Sequence, residues 1–206
     1  MGFIRNFLLP KETDFDAALL AQARIGREMV DLLYQACARD DPGALQAIDD
    51  RAKDATQRKN RNMKELLDVF IAPYDKESIY RMITQLDWIA LSVKHFRLQT
   101  VVYDIHSLGK YEPILAVLKQ MATTLETGMT QLGNTPLSVM EPEIGRLRDL
   151  YDEVVSLCAR ATGRLSPEHD CVRLLQERDI LMQLKEIAKR IHISANTLED
   201  MTIKIT

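Results

Sequence analysis

The chain has few of the residues that break or cross-link a fold. Its 206 residues include 8 Gly, 7 Pro and 3 Cys. The three cysteines, Cys37, Cys158 and Cys171, are far apart and odd in number, and none has C-x-x-C spacing. This usage argues against a zinc knuckle or a disulfide framework and is typical of a reducing compartment. The scarcity of Gly and Pro indicates long, uninterrupted elements.

Strong charge and long apolar runs are also missing. A net charge of −3 argues against a nucleic-acid partner or bulk binding to anionic membranes. No apolar run approaches the roughly 20 residues of a membrane-spanning helix. The start is interrupted too soon by Pro10 and Lys11 to be a signal peptide. We therefore predict a cytoplasmic protein without a membrane span.

Catalytic motifs are absent as well. The sequence has no Gly-rich phosphate loop, no G-x-S-x-G elbow and no Glu-x-x-His pair. Cys37 and Cys158 lie among apolar residues within helical patterns, which favours buried, inert thiols over nucleophiles. We expect the protein not to be an enzyme.

Apolar residues recur with helical period along most of the chain. The first helix is predicted from Thr13 or Asp14 to about residue 39, and the second from Pro42 to about residue 70. The second has a strongly polar middle (residues 49–65) that should lie mostly in solvent. The third is predicted to begin at the cap Asp75 and to end near residue 108, before Gly109.

Three further helices are predicted in the remaining sequence. The fourth covers residues 113–132, and the fifth runs from near Pro142 to Gly163. The sixth begins at Ser166 and Pro167 and continues nearly to Lys204. Helices of this length predict an all-α, elongated bundle of six helices.

Internal similarity suggests two three-helix repeats. "QLDWIA" (85–90) and "QLKEIA" (183–188) lie 98 residues apart, and so do two patterns on the second and fifth helices, Asp50-x-x-x-Asp54 and Arg148-x-x-x-Asp152. We predict one domain over residues 1–206 with halves at about 13–108 and 110–206. The alternative is coincidence between helical segments of similar composition.

Three motifs and the ending carry a family resemblance. "FLLPKETDF" (7–15), "FIAPYDKESIY" (70–80), "QLDWIALSV" (85–93) and the ending "ANTLEDMTIKIT" resemble the PhoU-like phosphate transport regulator family. The resemblance implies a regulatory or accessory protein that binds the cytoplasmic side of a membrane phosphate transporter, often of the Pit type. It leaves homo-oligomer formation and attachment to the inner membrane face open.

The same resemblance implies a metal site built from carboxylates four residues apart on a helix. The matching acids here are Asp50, Asp54, Asp87 and Asp152. Side chains at this spacing share a helix face and can hold a hard cation. A shifted register would instead align Asp49 with Lys53.

The family's other ligand positions hold different residues in this chain. Trp88 and Leu91 follow Asp87, Arg148 replaces one acid, and Lys185 and Lys189 replace an acid pair. We therefore predict no cofactor and regard a divalent or ferric ion as doubtful. One hypothesis is that Arg148, Lys185 and Lys189 act as counter-ions to the four acids, and the alternative is a solvated, ion-paired surface.

Three further features have open interpretations. The basic run at residues 58–64 could meet phosphate, lipid headgroups or an acidic partner, or could be a solvated face. Trp88 could pack between helices or contact a partner. Phe70 and Ile71 should close the end of the second helix, where Pro73 stops it. Alternative functions are a metal-binding carboxylate bundle and a general interaction scaffold.

Overall fold

The computed structural model describes residues 13–39, 41–133, 135–165 and 170–204, and these form six long helices and one short 3-10 turn. The helices are α1 (Phe15–Ala38), α2 (Pro42–Asp68), α3 (Lys76–Val102), α4 (Glu112–Gln131), α5 (Leu137–Gly163) and α6 (Cys171–Ile203). The 3-10 turn, Gly109–Tyr111, leads into α4. The 27 residues of α3 correspond to a length of about 40 Å.

Helix starts follow the capping residues that the sequence indicated. The Asp14 carboxylate accepts a hydrogen bond from the Ala17 N–H at 2.9 Å, and the Asp75 carboxylate accepts one from the Ser78 N–H at 2.8 Å. Each bond satisfies a donor that the first turn leaves without an intrahelical partner. Both predicted starts are confirmed.

The predicted end of α3 is wrong. The helix ends at Val102 rather than near residue 108, because Asp104 adopts the left-handed conformation (φ 53°). The Ile105 N–H then donates to the Thr100 carbonyl at 2.9 Å, the bond that closes a helix in a Schellman-type ending. Gly109 belongs to the following 3-10 turn.

The start of α5 also differs from the expectation. The helix begins at Leu137, and Pro142 lies inside it. Pro136 precedes the first turn, where its carbonyl accepts a bond from the Val139 N–H at 3.0 Å. The described part of α6 begins at Cys171 with Asp170 as its cap, while the predicted start at Ser166 and Pro167 lies outside the described residues.

One apolar core connects all six helices. Within the first half, α1, α2 and α3 pack against one another, and α4, α5 and α6 do the same in the second. The halves meet where α1 packs on α4 and α3 packs on α6. This arrangement leaves an outer groove between the first two helices of each half.

A buried polar network links the helices of the first half. The Asn62 amide donates to the Gln22 side-chain oxygen at 2.8 Å and to the Ala18 carbonyl at 3.2 Å. The Gln22 amide donates in turn to the Ile83 carbonyl at 2.8 Å. Asn62 is fully buried, although it lies in the polar segment that was expected mostly in solvent.

The connection between α2 and α3 differs from its predicted role. Phe70 and Ile71 are 86% and 79% exposed, so neither closes the helix end. Val69 and Tyr74 are buried there instead, and the Tyr74 hydroxyl donates to Asp16 at 2.5 Å. Helix α2 already ends at Asp68, before Pro73. The aromatic residue that seals this end of the bundle is therefore Tyr74.

Gly133, just after α4, lies against the Tyr74–Asp16 hydrogen bond, where only glycine fits. Its φ of +79° lies in the left-handed region, and an added Cβ would come within 2.6 Å of Asp16 Oδ2 and 2.9 Å of the Tyr74 hydroxyl. A side chain here would break the hydrogen bond that joins the α2–α3 connection to α1.

Candidate functional site

The two predicted ligands on α2 are exposed and have neighbouring cations as partners. Asp50 pairs with Lys53 at 2.6 Å, and this hydrogen bond lowers the pKa of the Asp50 carboxyl. Asp54 pairs with Arg51 at 2.9 Å. Pairs three residues apart on an exposed helix face contribute little to stability.

Asp87 differs from these acids because it is half-buried between α2 and α3. Its nearest cation is Lys59, at 3.9 Å. Burial raises the pKa of Asp87, and the positive charge of Lys59 opposes that effect. This contact and the Arg97–Asp49 pair at 3.2 Å join α2 to α3 along their length.

Asp152 lies on the exposed side of α5. The neighbouring Arg148 pairs with Glu199 of α6 at 2.6 Å. Lys185 and Lys189 are exposed on α6, and neither has a carboxylate within ion-pair distance in the described residues. The structure therefore does not show the pairing between these three cations and the four acids that one of the two hypotheses proposed.

The four acids are not brought to one place. They lie on three helices, each with its own surroundings. Among the residues that the structure describes, no group of three or more His, Cys, Asp or Glu side chains is arranged to hold a metal ion. Cys37 and Cys158 are buried as expected, and burial raises the pKa of the Cys158 thiol to about 11, which keeps it protonated.

The basic run at residues 58–64 does not form one face. Lys59 turns toward Asp87 on α3, and Asn62 enters the core. Arg58 and Arg61 instead line the groove between α1 and α2. The residues of this run therefore lie in three different environments.

The groove between α1 and α2 has a volume of about 390 Å³. We call it the arginine groove, and its cationic lining comprises Arg24, Arg51, Arg58 and Arg61. Its remaining lining comprises Ala21, Ile25, Gln57, Glu28 and Asp54. Sequence reasoning identified the basic run but not Arg24 and Arg51, because only the packing of α1 on α2 brings these arginines to one groove.

A second surface lies on α3 and α6 and includes several exposed apolar side chains. We call it the α3–α6 surface. Its large exposed apolar side chains are Tyr80, Trp88, Leu98, Val101 and Val102 on α3 and Val172, Leu175, Met182 and Ile203 on α6. In the described residues, α1 and α4 have no large exposed apolar side chain. Exposed apolar residues are thus concentrated on α3 and α6, one of the two helix pairs that join the halves, and exposed apolar patches are typical of interaction sites.

Trp88 and Arg190 form the contact between α3 and α6 on this surface. The Arg190 guanidinium lies 4.5 Å from the centre of the Trp88 ring and also pairs with Glu186 at 2.5 Å. Trp88 remains 38% exposed. It therefore packs between helices, as one interpretation predicted, and contact of its exposed part with a partner stays a prediction.

Sequence reasoning missed the α3–α6 surface as a whole. On α3, Tyr80, Trp88, Leu98 and Val102 are spaced for one outer face, but the exposed residues Lys94 and His95 lie between them in the sequence. The regular apolar stripe of this helix is the buried one, so the outer apolar residues gave no separate signal. No helix in the described residues is long and apolar enough to cross a membrane.

Comparison with known proteins agrees with the architecture. The chain is similar to the UPF0111 protein YkaA of Bacillus subtilis (strain 168), with 24% identity over 144 residues that cover 69% of this chain and 70% of YkaA. A crystal structure of a PhoU-like protein from Shewanella oneidensis MR-1 matches with a TM-score of 0.78 at 15% identity, covering 91% of this chain and 99% of that one. No family model matches the sequence. The predicted PhoU-like resemblance and the all-α bundle are confirmed.

Proposed function

We propose that this protein is a non-catalytic regulatory or accessory component of inorganic phosphate transport. In this proposal it is cytoplasmic, lies at the inner face of the membrane and binds the cytoplasmic side of a phosphate transporter. The PhoU-like fold supports the phosphate-related role. The observation that carries the binding role is the α3–α6 surface, because its large apolar side chains remain exposed in the part of the chain that the structure describes.

The composition of the α3–α6 surface suits a protein partner. Trp and Arg are enriched at the energetic centres of protein interfaces, and Trp88 and Arg190 are in contact here. The apolar residues around them would exclude water from that centre. We infer a binding mode in which a transporter segment covers α3 and α6 together.

We also propose that the chain is one functional unit without a metal cofactor. The two halves, residues 13–108 and 110–206, share a core, which supports a single domain. Asp50 and Asp54 pair with Lys53 and Arg51, so their charges need no bound metal. Elemental analysis of the purified protein tests this. Stoichiometric iron, zinc or nickel would contradict it.

The transporter proposal is tested by capture from membranes. The tagged full chain is incubated with detergent-solubilised membranes that contain a phosphate permease. We expect capture of the permease, and at least a tenfold loss of capture in the double variant Leu98→Lys/Val102→Lys. Lysine would place a charge in the apolar contact, at a cost well above the roughly 1.4 kcal/mol of a tenfold change.

Val139→Lys is the matched control. Val139 is 54% exposed on α5, compared with 55% for Leu98 on α3, and lies away from the proposed surface. The helical content and melting temperature of each variant should match the parent. Equal loss of capture in the control, or capture only of proteins unrelated to phosphate, would overturn the proposal; the second result would favour a general interaction scaffold.

A further inference from the structure

We propose that the arginine groove binds an anion with two or more phosphoryl groups, such as an oligophosphate or a phosphate ester. The inference goes beyond regulation of transport, because it assigns a ligand site to the bundle itself. Guanidinium groups are suited to this ligand, since their fixed, planar donors match the oxygens of phosphate.

The arginine groove is positively charged. Four guanidinium groups line it, against the carboxylates of Glu28 and Asp54. Both carboxylates are already engaged by Arg51, at 2.8 Å and 2.9 Å. In the part of the chain that the structure describes, Arg58 and Arg61 have no carboxylate within ion-pair distance. The groove therefore has an excess of positive charge, and the hydrogen-bond donors of Arg58 and Arg61 are available to a ligand.

The guanidinium groups are spaced along the groove. Arg58 and Arg61 are three residues apart on α2, which corresponds to about 4.5 Å along the helix. Arg51 lies two turns earlier, about 10.5 Å away. Arg24 faces them from α1 and pairs with Glu126 of α4 at 2.9 Å. A single phosphate would reach one end of this row, whereas linked phosphoryl groups would reach both.

Two of the remaining lining residues, Ala21 and Ile25, are apolar, and the volume of about 390 Å³ is in the range of small-molecule sites. Arg51 is held by its two carboxylates, which fixes its guanidinium in the groove before a ligand arrives.

Titration calorimetry with the purified full chain tests the site, using tripolyphosphate, pyrophosphate, orthophosphate and sulfate as probes. We expect affinity to fall in that order. The double variant Arg58→Gln/Arg61→Gln should bind tripolyphosphate at least tenfold more weakly, because both available donors lose their charge. Both side chains are at least partly exposed, so the melting temperature should stay close to that of the parent.

Arg164→Gln/Arg178→Gln is the control with the same change in net charge. Both arginines are exposed and lie outside the groove. Unchanged tripolyphosphate affinity in this control supports a built site. Equal weakening in the two double variants, or no binding by the parent chain, overturns the proposal.

A vesicle arm distinguishes two sources of the same chemistry. Vesicles containing phosphatidic acid are sedimented with the chain, with and without tripolyphosphate. Sedimentation that tripolyphosphate abolishes identifies a lipid headgroup as a ligand, whereas calorimetric binding without sedimentation identifies a free oligophosphate. Neither measurement requires the transporter. A negative result for the arginine groove can therefore be told apart from a failure of the proposed role in transport.

Discussion

The two outer grooves of the bundle have similar sizes but different chemistry. The arginine groove lies between α1 and α2, and its counterpart lies mainly between α4 and α5, with volumes of about 390 and 440 Å³. The counterpart is lined by Tyr34, Ala116, Lys119, Gln120, Thr123, Thr124, Thr127, Glu143 and Arg146. Helix packing therefore provides the space in both halves, whereas the side chains decide what that space can bind.

The threonine hydroxyls of the α4–α5 groove are largely occupied within their own helix. Thr123 donates to the Lys119 carbonyl at 2.9 Å, and Thr127 donates to the Thr123 carbonyl at 3.1 Å. Lys119 pairs with Asp31 at 3.5 Å. The bundle thus forms a groove of similar size with a single arginine, Arg146, in its lining, so the row of four arginines in the first half is not needed to form the space.

The cores of the two halves differ in a similar way. Gln22 and Asn62 in the first half hydrogen-bond between helices. In the second half, buried Ser194 and Thr197 donate to the Arg190 and Ile193 carbonyls of their own helix. A bond within one helix adds nothing to the packing of helices on each other, so the first half should depend more on its buried polar groups.

The contrast between the two cores can be tested with one substitution in each half. Asn62→Ala should lower the free energy of unfolding by about 2 kcal/mol, because the Gln22 oxygen and the Ala18 carbonyl lose their buried donor and a small cavity forms. Ser194→Ala should change it by less than about 0.5 kcal/mol, since a serine bonded back to its own helix adds little. Urea unfolding measures both, and equal losses would contradict the contrast.

A second prediction tests whether arginines alone account for the difference between the two grooves. Thr123→Arg/Thr127→Arg places two arginines four residues apart on the wall of the α4–α5 groove. In the Arg58→Gln/Arg61→Gln background, we expect this change to raise tripolyphosphate affinity at least tenfold in calorimetry. Gln46→Arg/Asn60→Arg, on exposed positions of α2 outside both grooves, adds the same charge and should give a smaller gain. Equal gains would show that net charge, not the groove, determines binding.

A third comparison, between Asp87 on α3 and Lys185 on α6, depends on pH. Burial raises the pKa of Asp87, so the folded chain holds this proton more tightly than the unfolded chain. The charged form therefore destabilises the fold above that pKa, and Asp87→Asn should add roughly 0.2–1 kcal/mol at neutral pH. The gain should disappear as the pH falls through the folded pKa.

Lys185, 98 residues later on α6, provides the control for this measurement. It is exposed, so Lys185→Gln should leave the free energy of unfolding within about 0.5 kcal/mol of the parent at every pH. Unfolding curves measured between pH 3 and pH 8 test both variants. If the gain in the free energy of unfolding for Asp87→Asn grows toward low pH, the prediction is wrong.

The sequence predicted those parts of the fold that depend on local chemistry. Asp14 and Asp75 cap helices because their carboxylates reach N–H groups three residues away, which spacing alone predicts. The end of α3 was missed because the sequence places no glycine at Asp104, and a non-glycine residue in the left-handed conformation is uncommon.

Features that depend on tertiary packing were less predictable. Phe70 and Ile71 have the composition of core residues, yet Tyr74 occupies the position at the helix end. Asn62 has the composition of a surface residue, yet it enters the core because Gln22 offers an acceptor from another helix. The arginine groove likewise combines side chains from two helices, so the basic run alone could not indicate it.

The contact between Trp88 and Arg190 also makes the protein its own optical probe. Trp88 is the only tryptophan in the chain, so fluorescence excited selectively at the indole comes from this one position. Its ring lies against a cation of the other half, and emission energy responds to nearby charge and water. The colour of that emission therefore reports whether the two halves are together and whether a partner has covered the surface between them.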